Sequence, residues 1–264
     1  MSVRTRPESR RAALHPIDIP ANGRQEDEMI QVIRSGERHH EDMGWLSTYW
    51  HFSFDTYYDP ANMNWGPLRV FNDDMIQPGK GFGMHPHRDM EIISYVVAGA
   101  LQHRDSQGNE GVVRAGEVQV MSAGSGIVHS EFNPAAEPVH LMQIWIQPRT
   151  KGLRPRWEQK RFSRVERSGK LLPVVSFGDV EGTLAIDQDC VVYLSSLRKG
   201  QQVSHVAKSN RKGYLFVIDG AVNLNSVPLA TGDQARIDQE TKLAVETRTG
   251  AELIFLDLPA TSGG

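Results

Sequence analysis

From Gly44 onward the chain alternates short apolar runs with clusters of Gly, Asn, Asp and Pro, and the runs are rich in Val, Ile and aromatics and too short for helices. LRVFND, EIISYVV, GVVRAGEVQVMSAG and LMQIWIQP form a first series of predicted strands; LLPVVSF, CVVYLSSL, GYLFVIDGAVNLN and AELIFLDL form a second. Two antiparallel β units in tandem follow, each a sandwich or barrel. Helix signals are sparse, the best being RQEDEMIQVIRSG near residues 24 to 36, stopped by Gly36.

The rhythm repeats internally. HPHRDMEIISYVVAG runs through a strand to Gly99 and RAGEVQVMSAG through another to Gly124, while SHVAKSNRKGYLFVIDG ends likewise at Gly220 and ATGDQARID matches the later turn. The chemistry does not repeat. Ala207 fills the position of His87, Gly213 that of Glu91, and no histidine follows Gly232, so His205 alone remains in the second unit.

Composition narrows the classes. At 264 residues, 39% hydrophobic and 23% charged, the chain is long enough and apolar enough for one large or two smaller cores. A net charge of -3 gives no pull toward nucleic acid or an anionic membrane. The single cysteine, Cys190, has no intramolecular disulfide partner, which fits a reducing compartment. No run reaches the roughly 18 apolar residues of a spanning helix. The first residues carry Arg4, Arg6, Arg10 and Arg11 without a signal-like apolar core, and Glu8, Pro7, Pro16 and Pro20 oppose an amphipathic transit helix. A flexible extension over residues 1–28 and a cytoplasmic monomer are therefore expected. QPRTKGLRPRWEQKRFSRVERSGK reads as a solvated linker between the units; its basic residues are the alternative surface for an anionic partner.

The chemistry concentrates in two short stretches. His85 and His87, separated by one residue, share a face of any strand, and so do His129 and Glu131. If strands carrying the two pairs face one another inside a barrel, three imidazoles and a carboxylate converge. Such a set suits a divalent transition ion and suits Ca or Mg poorly. His51 sits in an aromatic stretch and is expected to be packed; no pattern places His39, His40 or His140.

These residues resemble a known family. Gly79, His85, His87 and Glu91 match the first cupin motif, with Gly99 one position late. Gly116, Gly124, His129 and Asn133 match the second, with Ser122 in place of its proline and two extra residues before His129. HPHRDMEI, MSAGSGIVHSEFN, WHFSFDTYYDP and LRVFNDD, with PRWEQKRF in the linker, narrow the resemblance to the pirin family over roughly residues 40 to 260. That resemblance implies an all-β bicupin: two tandem antiparallel jelly-roll barrels with few short helices. It places a metal-binding cupin domain at 29–150, a linker at 151–170 and a C-terminal cupin domain without metal ligands at 171–264. General cupins use the glutamate at the position of Glu91, whereas pirins use the one at Glu131. The implied ligands are thus His85, His87, His129 and Glu131, with Glu91 in a supporting role. His103 matches a family position and is expected to orient a ligand or line the pocket.

The resemblance also implies an activity. Several pirins open flavonols such as quercetin with dioxygen in a 2,3-dioxygenase reaction that releases carbon monoxide. Here that means a small aromatic, flavonol-like substrate, O2, and one divalent transition metal ion, Fe(II) first, with Mn, Ni, Co, Cu or Zn also accommodated. Glu131 would act as ligand and as base for the substrate 3-hydroxyl. Phe82, Met84, Met121 and Phe132 flank the ligands and are candidate walls of an apolar pocket. The alternative is a metal- or redox-sensing regulator of a transcription factor or metabolic enzyme, for which Arg154, Arg156, Lys160 and Arg161 offer the only candidate protein-partner surface. A cupin acting on a compound other than a flavonoid is the third reading.

Overall fold

A computed structural model describes residues 29–261. The expected extension at 1–28 and the start of the helix signal at 24–36 lie outside the described residues. The rest of that signal is not α-helical. Ile30–Ile33 is strand β1, followed by a single 3-10 turn at Ser35–Glu37. Three of its four residues are β-branched, and its partner strand lies some two hundred residues away in sequence, where no local periodicity points to it.

The first unit continues with β2 (His39–Asp42), β3 (Leu46–Trp50), β4 (Leu68–Ile76), β5 (Gly81–His87), β6 (Glu91–Ala98) and β7 (Ala100–Asp105). It is completed by β8 (Glu110–Arg114), β9 (Glu117–Ser122), β10 (Ile127–Phe132), β11 (Val139–Ile146) and β12 (Arg156–Arg161). Seven of these form one sheet in the order β12-β9-β6-β11-β4-β3-β2, and four form a second in the order β5-β10-β7-β8. The sheets face each other through two apolar clusters: Leu46, Ile76, Val96 and Leu141 meet Leu101 and Val113 at one end, and Ile92 and Met121 meet Ile127 at the other.

The second unit comprises β13 (Leu172–Ser176), β14 (Leu184–Ala185), β15 (Val191–Arg198), β16 (Gln202–Val206), β17 (Arg211–Leu224), β18 (Val227–Ala230), β19 (Gln234–Asp238) and β20 (Lys242–Pro259). They make one curled sheet, β1-β19-β17-β20-β15-β13-β14, with β16 on β20 and β18 on β17. The architecture is the expected all-β bicupin, and no described helix is long and apolar enough to cross a membrane.

Two features depart from simple tandem units. Strand β1 pairs along β19, so the first strand among the described residues lies in the sheet of the second unit. The segment expected as a linker contains β12, which pairs with β9 from Arg156↔Ser122 to Arg161↔Glu117. Its basic residues are used in the fold: Arg156 donates to the Ala185 carbonyl, Lys160 to that of Gly182, and the nearby Arg167 is buried against Tyr95 and Glu252.

A large core cluster lies between the units. Ile93, Tyr95, Met142 and Ile144 of the first unit pack with Val192, Leu194, Tyr214, Phe216, Ile254 and Leu256 of the second. EIISYVV reads as a continuous apolar run because both faces of β6 are covered, one by the barrel interior and the other by the neighbouring unit. His51 belongs to this junction. It is buried, its Nδ1 meets the Tyr214 hydroxyl, and burial and then Arg38 hold its pKa well below the ordinary value.

Candidate metal centre

Strand β10 lies between β5 and β7, and all three turn chemistry-bearing side chains into the first barrel. Along β5, His85 sits opposite His129 and His87 opposite Ile127; along β7, Asp105 sits opposite His129 and His103 opposite Glu131. The two histidine-bearing pairs are thus on hydrogen-bonded neighbours within one sheet, and not on strands facing across the barrel. A register shift between His129 and Glu131 seats Glu131 against Phe82. Gly81 makes this possible: a Cβ there would lie 2.1 Å from the Glu131 carbonyl oxygen, inside any permitted contact.

The rings of His85, His87 and His129 cluster with centroid separations of 4.4, 4.8 and 4.9 Å. Donor atoms of these three come within 4.8 Å of one another, and a second set, His103, His129 and Glu131, meets the same limit. His129 is common to both sets, which join His85 and His87 on one side of it to His103 and Glu131 on the other. Glu91 joins neither set. It leaves β6 from the face opposite Ser94, is buried, and accepts from Ser122 at 2.5 Å.

The electrostatics suit a cation. Burial, then the neighbouring imidazoles, lowers the pKa of His87 to about 4 and that of His129 to about 3, so both rings are neutral at pH 7 with lone pairs available. His85 Nδ1 is 2.7 Å from the Gly83 carbonyl oxygen, an arrangement that places the ring proton on Nδ1 and leaves Nε2 free to coordinate. Nε2 of His129 is buried and has no hydrogen-bond partner among the described residues. An orphaned imidazole nitrogen beside two more imidazoles is what a divalent metal ion would satisfy.

Glu131 is held by residues the sequence did not single out. Gln119 Nε2 donates to Oε1 at 2.6 Å, Gln143 Nε2 to Oε2 at 2.7 Å, and Ser94 Oγ lies 3.3 Å from Oε1. These donors form a row across the seven-stranded sheet, Ser94 opposite both Gln143 and Gln119, and they bond each other as well. Trp157 of β12 completes the row by donating to Gln119 Oε1 at 2.9 Å. Its ring also stacks on the fully buried His103, which contacts Asp105 at 3.2 Å and His129 at 3.5 Å. Polar residues alternating within strands carry no distinctive spacing, so only the assembled sheet reveals this row.

A cavity of about 610 Å³ opens beside the cluster, lined by His85, His87 and Glu131 together with Asn72, Asp74 and Gln143. Its walls are Trp45, Trp50, Phe54, Phe82 and Trp145. Of the four walls expected from sequence, Phe82 alone lines it. Met121 is buried in the core, and Met84 and Phe132 are exposed on the surface.

Comparisons with known proteins show the family and the fold. Residues 32–146 match the family model described as Pirin, and residues 173–258 match the Quercetinase C-terminal cupin domain. The chain is 44% identical to a quercetin 2,3-dioxygenase of Escherichia coli K12, covering 88% of this chain and 99% of that protein. It is 46% identical to a pirin-like protein of Caulobacter vibrioides, covering 82% and 94%. Among solved structures, the bacterial pirin YhhW of Escherichia coli in complex with nickel(II) superposes with a TM-score of 0.83 at 42% identity, covering 88% of this chain and 99% of that one.

Proposed function

The chain belongs to the pirin family, and from that premise we propose that it is a metal-dependent dioxygenase that opens flavonols such as quercetin with O2 and releases carbon monoxide. One observation supports the reading: His85, His87 and Glu131 line an aromatic-walled cavity of about 610 Å³, with the His129 ring packed against both histidine rings. His85, His87, His129 and Glu131 would hold the ion, with Fe(II) the first candidate and Mn, Ni, Co, Cu or Zn compatible with the same donors. When bound, the ion supplies Lewis acidity that lowers the pKa of a substrate hydroxyl.

The remaining chemistry belongs to the protein's own groups. Trp45, Trp50, Phe54, Phe82 and Trp145 exclude water and bind flat aromatic surface. Glu131 Oε1 receives Gln119 and Oε2 receives Gln143, while the Ser94 hydroxyl proton goes to Gln143 Oε1 at 2.6 Å. Each oxygen keeps a lone pair, and either can take the 3-hydroxyl proton. Gln119 and Gln143 hold the carboxylate in place while it does so, and His103 braces the His129 ring from behind. The basic segment offered for a regulatory partner is committed to internal hydrogen bonds at Arg156 and Lys160, so the enzymatic reading is preferred.

The test is to load the protein anaerobically with Fe(II), Mn, Co, Ni or Cu, add quercetin and oxygen, and follow flavonol absorbance and carbon monoxide together. Metal-dependent loss of the flavonol with matching carbon monoxide, abolished in His129→Ala, is expected. Stoichiometric metal binding with no turnover by any of these ions would refute the flavonol assignment.

A further inference from the structure

Resting on the flavonol reading, we infer that Asn72 and Asp74, the latter held by Thr48, form a second subsite in the metal cavity, which selects aromatic substrates carrying a hydroxyl remote from their metal-chelating oxygens. Thr48 of β3 and Asn72 and Asp74 of β4 are buried polar residues on the inner face of the seven-stranded sheet, and Asn72 and Asp74 line the cavity. Asn72 lies directly opposite Gln143, the residue that holds Glu131 Oε2. The subsite therefore begins one strand spacing, about 5 Å, from that support and continues away from the histidines along β4.

Folding does not account for these groups. The side chain of Asn72 makes no hydrogen bond among the described residues, and its Oδ1 is buried and unsatisfied. An unpaired buried amide destabilises a protein, so a side chain in that state inside a cavity points to a ligand. Asp74 is tied on one side only, with Thr48 Oγ1 donating to its Oδ1 while Oδ2 makes no hydrogen bond within the described residues. Burial raises the pKa of Asp74 to about 7, so near neutrality the carboxyl is available both to donate and to accept. An amide and a half-protonated carboxyl side by side suit a phenolic hydroxyl, which gives one hydrogen bond and takes another.

The experiment compares two flavonols in the full-length, Ni(II)-loaded protein without oxygen. Quercetin carries remote hydroxyls and 3-hydroxyflavone carries none. Binding is followed by quenching of tryptophan fluorescence, since Trp45, Trp50 and Trp145 line the cavity. The parent is expected to prefer quercetin by about 10-fold, the worth of one or two net hydrogen bonds. Asn72→Leu should reduce the preference to about 2-fold or less, with 3-hydroxyflavone affinity unchanged and the ligand-free Tm equal or higher, because no folding hydrogen bond is removed. Asp74→Leu reads the same ratio should Asn72→Leu not fold. Equal affinities in the parent, or a preference that survives substitution, would overturn the subsite alone. Binding of neither flavonol by the metal-loaded parent would overturn the flavonol reading and this inference with it.

Discussion

The two barrels share an architecture and differ in what fills them. In the first, the inner row Asn72, Gln143, Ser94 and Gln119 is polar from strand to strand, between an apolar end at Ile76 and Leu141 and another at Ile92 and Met121. In the second, Leu215, Val217, Leu224, Ile237, Leu243, Val245, Leu253 and Phe255 fill the interior, and its buried polar side chains, Ser195, Thr247 and Asp257, are scattered among them and form no continuous row. Gly213, at the place of Glu91, cannot grow a side chain cheaply, since a Cβ would meet Ile237 and Phe255 at 3.0 to 3.2 Å. His205, the last histidine of the repeat, is hydrogen-bonded to Asp257 at 2.7 Å, and Arg211 bonds the same carboxylate. A site is therefore not a property of the barrel. It appears where the interior gives up hydrophobic packing for a row of hydrogen-bond donors, and the filled barrel serves as the support.

This contrast can be broken from either side. The largest effect should come from giving the filled barrel a polar group it cannot satisfy. Leu224→Asn, at a position with no exposed surface and with Val227 and Val245 opposite it, should cost about 4 kcal/mol in chemical denaturation. In the first barrel the converse change, Gln143→Leu, should cost about 1–3 kcal/mol in the metal-free protein, because Glu131 Oε2 is left without its donor and the Ser94 hydroxyl without its acceptor. Its effect should also fall on the ion, weakening metal affinity by about 10- to 100-fold in competition with a chelator. A metal affinity equal to that of the parent would show that the row is not a support for Glu131.

The smallest effect concerns acid. His87 and His129 have pKa values of about 4 and about 3 when folded, below the roughly 6.5 of an unfolded histidine. The folded protein binds fewer protons, so their contribution to stability is complete above about pH 6.5 and is lost as pH falls through 4 toward 3. Metal-free protein should thus lose stability between pH 7 and pH 4.5, and His87→Gln with His129→Gln should flatten that slope. An unchanged slope would place the acid sensitivity elsewhere.

Much of this was legible in the residues. The strands at EIISYVV and LMQIWIQP stand out because burial on two faces removes polar alternation, and the paired histidines stand out because a one-residue gap survives any strand register. What stayed hidden depends on register between distant strands. Gln119, Ser94 and Gln143 look like ordinary strand polars until the sheet aligns them, and Trp50 and Trp145 become cavity walls only when β3 and β11 flank β4. The basic run at 151–170 looked like a linker because β12 carries mostly long charged side chains, which are common on exposed edge strands. The helix signal at 24–36 failed for a related reason: backbone pairing with β19 outweighs local propensity.

The docking of β1 on β19 has a consequence for where this molecule can be cut. A fragment beginning after the basic segment would contain every strand of the second sheet except β1. It would bare the outer backbone of β19 and the apolar junction formed by Tyr214, Phe216, Ile254 and Leu256. An open edge beside an uncovered hydrophobic face is a template for self-association. The sequence repeat has two members, but they share one core and are joined by β1, so either half cut alone is expected to aggregate.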